Sequence, residues 1–483
     1  MIDGLRPYPA YKDAGVPWLG EVPGHWEVPR LRDAVDMRVS NVDKHTKEGE
    51  LRVRLCNYVN VYKNERITDR VSFMGATATS EEIARFRLER DDVLITKDSE
   101  SWNDIGVPAL VEHSAPDLVC GYHLALLRPF RELMNGSYLL RAMQSPGVSY
   151  QFRVEANGVT RYGLSHAAIK SISLPLPPLP EQAAIVRFLD HADRRIRRYI
   201  GAKQKLIKLL EEQKQAIIQR AVTRGLNPHV GLKPSGVEWL GDVPDHWSLK
   251  RFKFLARVAS GQVDPRKPEH RGKTLVAPNH IKSGTGKITY HETAEEQGAD
   301  SGKYEVRQGQ IIYSKIRPNL RKAAIASVDC LCSADMYPIA VRQTDLRPAY
   351  LLLLLLSAPF TKYAVDCSLR VAMPKVNRDA LGECLFWYPS LKEQDAILQV
   401  VEHATEPGDL VVAQAGREVA LLREYRTRLI ADVVTGKLDV REAAAQLPDE
   451  AEEPEPLAEA DALTDGEEEG VDDLDAVPEE AEA

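Results

Sequence analysis

Few groupings in this 483-residue chain have a spacing that could perform a reaction, and each has a plainer reading. Methyl transfer to a base amino group needs an Asn or Asp followed by two prolines and an aromatic. No such tetrapeptide occurs, and Pro177-Pro178 stands in a purely apolar setting. Gly284-Thr285-Gly286-Lys287 has the look of a phosphate loop, but the full motif needs Gly at 281 and Ser or Thr at 288. Both positions are isoleucine. Glu212-Gln213-Lys214 has the E-x-K order of a nuclease site, yet it falls in a helical charge pattern where such pairs are ordinary. The six cysteines form no C-x-x-C pair, and no His cluster completes a zinc set around Cys330 and Cys332. Reduced, mostly buried thiols in a cytoplasmic protein are the expectation.

The side chains suited to reading another molecule fall in two pairs of polar segments. Lys97 to Asn103 follow the apolar run Asp92 to Thr96, and Lys315 to Lys322 follow the matching run Gln310 to Ser314. Asn157 to Tyr162 form a second such segment, matched by Arg370 to Lys375. Arg suits guanine and Asn suits adenine in the major groove of DNA. The expected contacts are Lys97, Ser99, Asn103, Arg161 and Tyr162 in the first set, and Lys315, Arg317, Asn319, Arg321, Lys322 and Lys375 in the second. About half of such residues would touch only phosphate or water. Trp18, Trp26, Trp239 and Trp247 flank Gly- and Pro-containing turns. Duplex DNA hides its base faces, so these rings are expected to pack the entrance of a domain against a helix.

The elements that position these segments occur twice. Gly15 to Trp26 (GVPWLGEVPGHW) and Gly236 to Trp247 (GVEWLGDVPDHW) agree at nine of twelve positions, 221 residues apart. Glu181 to Ile185 matches Glu393 to Ile397 at an offset of 212, which also relates Tyr138-Leu139-Leu140 to Tyr350-Leu351-Leu352 and Leu209–Thr223 to Leu421–Thr435. Matching borders around divergent interiors imply common scaffolding for two separately tuned surfaces. In each copy short apolar runs, such as Asp92 to Thr96 and Leu124 to Leu127, read as buried strands between turn signals. Proline-marked strands, Ile172 to Pro180 and Leu385 to Pro389, close the two globular parts.

A helical stretch then follows each. From 181 to 222 there is no Pro, and Ile185, Leu189, Ala192, Ile196, Tyr199, Lys203, Leu206, Leu210, Gln213 and Ile217 step by four and three as a heptad seam. Ile397, Val401, Ala404, Val411, Leu422, Tyr425 and Leu429 repeat the seam over 393–434, where Pro407-Gly408 should kink or break the helix. One exposed apolar stripe cannot be stable alone, so the two helices should pair, antiparallel. The expected architecture is therefore mixed strand and helix: two globular parts in an internal repeat, separated by two long antiparallel coiled-coil helices. The expected boundaries are 1–175, 176–235, 236–388, 389–445 and an acidic, disordered tail at 446–483.

The net charge of −8 hides a division. Residues 446–483 hold 17 acidic and no basic side chains, which leaves 63 basic against 54 acidic in 1–445, about +9. Such a body gains affinity for phosphates by counterion release. The apolar run Leu351 to Leu356 is far short of the ~20 residues that span a bilayer and reads as a buried helix. No signal peptide and no membrane association are expected.

Tyr11 to Trp26, the LPPLPEQ stretch beginning at Leu176, and Leu421 to Val440 resemble the specificity subunits of type I restriction–modification systems, as does the order of the duplicated motifs. The resemblance covers residues 1 to about 445. It implies the α+β fold class and a non-catalytic chain whose two target recognition domains each read half of a bipartite duplex DNA site. Its helices would serve as spacer and as docking surface for two methyltransferase subunits, through Ile185, Leu189, Ile196, Leu206, Leu210, Ile217, Ile397, Val401, Leu422, Tyr425 and Leu429. Restriction subunits would join them. S-adenosylmethionine, ATP and magnesium would bind in those partners, with no cofactor or metal in this chain. Pro407-Gly408 departs from the uninterrupted family helix. The competing expectation is a coiled-coil scaffold without DNA specificity.

Overall fold

The computed structural model describes residues 5–368 and 374–448. They form two compact units, 5–204 with 416–448, and 205–368 with 374–415. Each unit thus takes in a globular part and a segment of both long helices, α2 (Leu179–Arg224) and α4 (Leu391–Val434).

In the first unit, strands β1 (Val35–Val39), β2 (Arg66–Ile67), β3 (Val93–Thr96), β4 (Pro108–Val111) and β5 (Leu124–Pro129) form a sheet in the order β1-β5-β3-β4-β2. Only the β2–β4 pair is parallel. Val93, Leu94, Ile95, Leu124, Ala125, Leu126 and Leu127 are fully buried, because this sheet is covered on both faces and its central strands are continuously apolar. One face packs on helix α1 (Gly136–Gln144) and α2, the other on a three-stranded sheet of Leu51–Cys56, Met74–Ala78 and Leu118–Cys120. The start of the chain returns to its far end. Arg6 bridges to Asp439, and the Tyr11 hydroxyl donates to the Gly436 carbonyl at 3.1 Å.

In the second unit, β6 (Ala256–Val258), β7 (Ile311–Ser314), β8 (Ala323–Ile325) and β9 (Met336–Val341) form an antiparallel sheet ordered β6-β9-β7-β8. The Leu351–Leu356 run lies in helix α3 (Pro348–Leu356), with Leu351, Leu354, Leu355 and Leu356 buried against this sheet. Of the two closing strands, only Leu385–Tyr388 is a strand, paired with Ser248–Arg251. The 172–180 stretch makes just two isolated bridges, Arg30 to Ser173 and Glu27 to Leu176, since Pro175, Pro177 and Pro178 have no N–H to donate.

The long helices correct the expected seam. Along α2 the inward line runs Ile185, Leu189, Ala192, Ile196, Ile200, then through half-buried positions to Ile218, nine steps across 33 residues or about 3.7 per step. The strict heptad expectation departs from it after Ile196. Tyr199 and Leu206 are exposed, while Leu210 and Ile217 are half-buried. Along α4 the line passes through Ile397, Val401, Thr405, Val412, Ala415, Val419, Leu422, Arg426 and Ile430, and Ala404, Val411 and Tyr425 face outward. A helix that keeps 3.6 residues per turn drifts about 20° per heptad from a 3.5 repeat, which moves the contact one residue onward. Pro407 does not break α4. Its lost hydrogen bond costs about 3 kcal/mol, against apolar burial of Ile397 and Val401 before it and Val419 and Leu429 after it.

Pairing is antiparallel within each unit. Lys203 meets Glu418 at 2.6 Å and Arg426 bonds Asp193 in the first, and Lys214 meets Asp409 at 2.8 Å in the second. Arg441–Gln446, just before and at the start of the expected tail, is helical. The tail's acidic residues from Asp449 onward lie outside the described residues, as do Arg370 to Met373.

Candidate nucleic-acid interface

The repeated borders build the mount for each site. In the first unit Glu181, at the start of α2, accepts from Trp26 Nε1 (3.0 Å) and the Tyr8 hydroxyl (3.0 Å), with His25 Nε2 at 2.7 Å. Burial and the neighbouring Glu181 carboxylate hold the Tyr8 phenol well above its usual range. In the second unit Glu393 accepts from Trp247 Nε1 (3.1 Å), with His246 Nε2 at 2.8 Å. The next residue acts alike in both. Gln182 donates to the carbonyls of Leu133 and Pro177, and Gln394 to those of Asp345 and Pro389. Trp26 and Trp247 are buried, so they serve packing, as the sequence suggested, while Trp18 stays half exposed.

On this mount each unit brings its two distant polar segments together. In the first, Asp98–Ser99 pairs antiparallel with Tyr162–Gly163, so 97–103 and 157–162 form one ribbon leaving β3. In the second, Ile316 bridges to Lys375, and the Arg317 and Val376 amides donate to Pro374 and Lys315 carbonyls.

The predicted side chains divide by what holds them. Arg161 and Asn103 are exposed on the first ribbon, and Arg317, Asn319 and Lys375 on the second. The others are buried or engaged by neighbouring groups. Lys97 Nζ is bonded to Asp98 at 2.6 Å, and Ser99 is buried and accepts from the Ser101 amide. Tyr162 is half-buried in the pairing. Lys315 Nζ donates to the Ala334 carbonyl (2.7 Å) and lies 5.6 Å from the Tyr337 ring centre. Arg321 donates to the Gln215 side chain on α2 (3.1 Å), and Lys322 is buried. Lys97, Ser99, Lys315 and Arg321 are thus each engaged by a neighbouring carboxylate, amide or carbonyl, and Lys322 is buried.

Sequence reasoning missed the aromatic and histidine surroundings of the first ribbon. His123 Nδ1 lies 2.6 Å from Asp98, and Arg161 reaches His123 Nε2 at 3.4 Å. Burial works to raise the Asp98 pKa, but the bonds from His123 and Lys97 outweigh it and hold the carboxyl below its usual range. Tyr58 and Tyr62 stack at 5.6 Å, and Tyr62 donates to Asp104 (2.6 Å), which raises its phenol. Trp102 and Tyr122 are both about half exposed there. Backbone strain marks the same places. Of four non-glycine residues with positive φ among those described, His123, Arg317 and Arg321 belong to the two sites, and only Asp91 lies elsewhere. No periodicity in the sequence signals a left-handed residue. The two look-alike motifs resolve as structure: Lys214 binds Asp409, and the Gly284 amide donates to the Arg321 carbonyl.

Fold and site define a class of chain with two α+β units, each built on both long helices and each carrying a polar ribbon beyond a buried strand. Residues 23–208 match the model of the type I restriction modification DNA specificity domain. The EcoDI specificity subunit of Escherichia coli is 32% identical over 285 residues, 56% of this chain and 63% of that one. The MjaVIII specificity subunit of Methanocaldococcus jannaschii is 20% identical over 433 residues, 87% of this chain and 94% of that one. The chain therefore spans less than two thirds of the EcoDI subunit it matches. A chain from a structure described as the basis of complex assembly and conformational transition of the type I R-M system shares the fold. Its TM-score is 0.56 at 18% identity, over 86% of this chain and 99% of that one. Residues 23–208 thus resemble the DNA specificity domain of type I restriction–modification systems, and the chain as a whole is similar to their specificity subunits.

Proposed function

We propose that this chain recognises a bipartite duplex DNA target, one half through the ribbon of each unit, on behalf of partner enzymes. The observation that supports this most is the convergence, in both units, of two sequence-distant polar segments at the end of a buried strand. That convergence leaves Asn103 and Arg161 outward in one unit and Arg317, Asn319 and Lys375 in the other. Arg and Asn are the side chains whose forked donors and acceptors fit guanine and adenine edges. The chain itself is non-catalytic in this reading. Methylation and cleavage, with S-adenosylmethionine, ATP and magnesium, belong to two methyltransferase subunits and to restriction subunits, and the assembly works in the cytoplasm. The outward side chains of α2 and α4, among them Leu206 and Tyr425, supply docking area for the methyltransferases.

Methylome sequencing of a host carrying the whole system tests this reading. A two-part methylated motif is expected, and exchange of residues 28–172 for those of another specificity subunit should change one half only. Methylation that changes in both halves, or a complex whose duplex affinity does not fall with salt, would sink the proposal in favour of a scaffold.

A further inference from the structure

The recognition turn of the second unit is bracketed by two residues in a sparsely populated conformation. Arg317 and Arg321 have φ of 46° and 48° on either side of Pro318–Leu320, the turn that presents Asn319. A non-glycine residue keeps such a conformation only where its surroundings over-determine it. Arg317 is held by the hydrogen bond from its amide to the Pro374 carbonyl at 3.1 Å. Arg321 is held from a long helix, 106 residues back in the chain.

Gln215, half-buried on α2, makes this link with both ends of its amide group. Its Oε1 accepts from Arg321 Nη1 at 3.1 Å, and its Nε2 donates to the Gly284 carbonyl at 3.0 Å. The Gly284 amide donates in turn to the Arg321 carbonyl at 3.1 Å, which closes a ring of three hydrogen bonds. Gly284 is buried with φ of +69°, and a Cβ there would sit 3.3 Å from the Arg321 guanidinium. The glycine that gave 284–287 the look of a phosphate loop thus lets Arg321 approach. The same loop is seated on both helices, with Lys282 Nζ 3.2 Å from Glu211 on α2 and Lys287 Nζ 3.4 Å from Asp409 on α4.

The link is not part of the duplicated scaffold. The residue matching Gln215, 212 further along, is Thr427, whose hydroxyl donates to the Arg423 carbonyl of its own helix at 3.1 Å. We propose that Gln215 is a positioning residue for the second half-site. From the long helix it sets the geometry of the Arg317–Arg321 turn, and so the base choice of Arg317 and Asn319, without touching DNA. This rests on the reading that the turn contacts one half of the target. Specificity for that half then depends on a side chain outside the expected domain 236–388, and exchange of that domain alone would transfer it incompletely.

The test is methylome sequencing of hosts carrying the complete system, with the full chain as Gln215→Ala, Arg321→Ala, or both. Arg317→Ala with Asn319→Ala serves as the reference. Gln215→Ala should leave the first half and the gap unchanged. It should raise methylation of sites with one wrong base in the second half roughly five-fold or more, relative to the parent motif. Because Gln215 acts through Arg321, Arg321→Ala should do the same, and the double variant should exceed neither by more than about two-fold. Gln215→Leu keeps the bulk and removes both bonds, so it should match Gln215→Ala, and thermal melts equal to the parent establish folding. A second half unchanged in both Gln215 variants, while the reference pair alters it, would overturn this proposal alone. So would additive losses in the double variant, or methylation weakened uniformly with no change of motif. A reference pair that changes neither half would sink the underlying reading as well.

Discussion

The two units seat the same helix pair by different physics. In the first, the junction between globular part and helices is ionic. Arg141 is almost fully buried and donates to Glu65 (3.0 Å) and Asp190 (2.6 Å), with Asp193 at 3.3 Å, while Arg66, Arg197 and Arg426 complete the ring of cations. In the second unit the matching positions, 212 residues along, hold Leu353 for Arg141 and Thr405 for Asp193. Lys214 and Asp409 stand where the first unit has Arg426 and Arg197, and they make one ion pair. Tyr138 donates to the Pro175 carbonyl at 2.7 Å, whereas the hydroxyl of its counterpart Tyr350 is buried with no partner. A clasp of Trp, His, Glu and Gln is common to both units, so the clasp is what the scaffold requires. The ionic junction adds fixed geometry at the cost of desolvating every member.

The largest difference should appear in acid. Burial works to raise the pKa of Asp193, but Arg426, with Arg197 and Arg141, outweighs it and holds the carboxyl well below its usual range. Glu65 is lowered in the same way by Arg197, Arg141 and Arg426 against its own burial. A depressed carboxylate pKa gives stability that is full above the unfolded value of about 4 and is lost as pH falls through the folded value. Hydrogen exchange of the intact chain, titrated downward from neutral, should therefore show protection in 179–204 failing below about pH 4 before that in 205–224. Equal loss in both segments would remove the distinction.

Substitution sharpens it. Arg141→Leu installs the second unit's residue and leaves buried carboxylates short of a partner, which should cost the first unit about 3–5 kcal/mol. Glu181→Gln should cost about 2 kcal/mol and Glu393→Gln about 1, since Glu181 also serves Tyr8 and faces Arg441. Denaturant titration followed by exchange in each unit gives both values. The smallest effect has opposite signs in the two units. Tyr138→Phe should destabilise by about 1 kcal/mol, while Tyr350→Phe should be neutral or stabilising by a similar amount.

Much of the architecture is legible in the sequence because it rests on patterns that a single chain displays. The His-Trp borders and the Glu-Gln pairs are written twice, and they meet in the structure as the clasp. The runs Val93–Thr96 and Ile311–Ser314 are continuously buried and mostly apolar because both faces of their sheets are covered. What escapes is set by three-dimensional competition. Tyr199 and Ile200 are both credible seam residues, and the choice depends on the pitch that α2 keeps when packed. Lys322 and Arg317 are equally basic on paper, but the left-handed turn at Arg317 puts one outward while the sheet buries the other. His123, Tyr58 and Tyr62 reach the first ribbon from elements far away in the chain, and nothing in their local sequence marks it.

The claim that the two ribbons read DNA independently is tested most directly by methylome sequencing of hosts carrying the complete system with paired substitutions in one ribbon at a time. Asn103→Ala with Arg161→Ala should relax or change bases in one half of the motif. Arg317→Ala with Asn319→Ala should do so in the other half, each good base contact being worth about 1–3 kcal/mol of discrimination. The gap and the untouched half should remain as in the parent. Both pairs altering the same half, or either pair weakening methylation uniformly without any change of motif, would contradict the account.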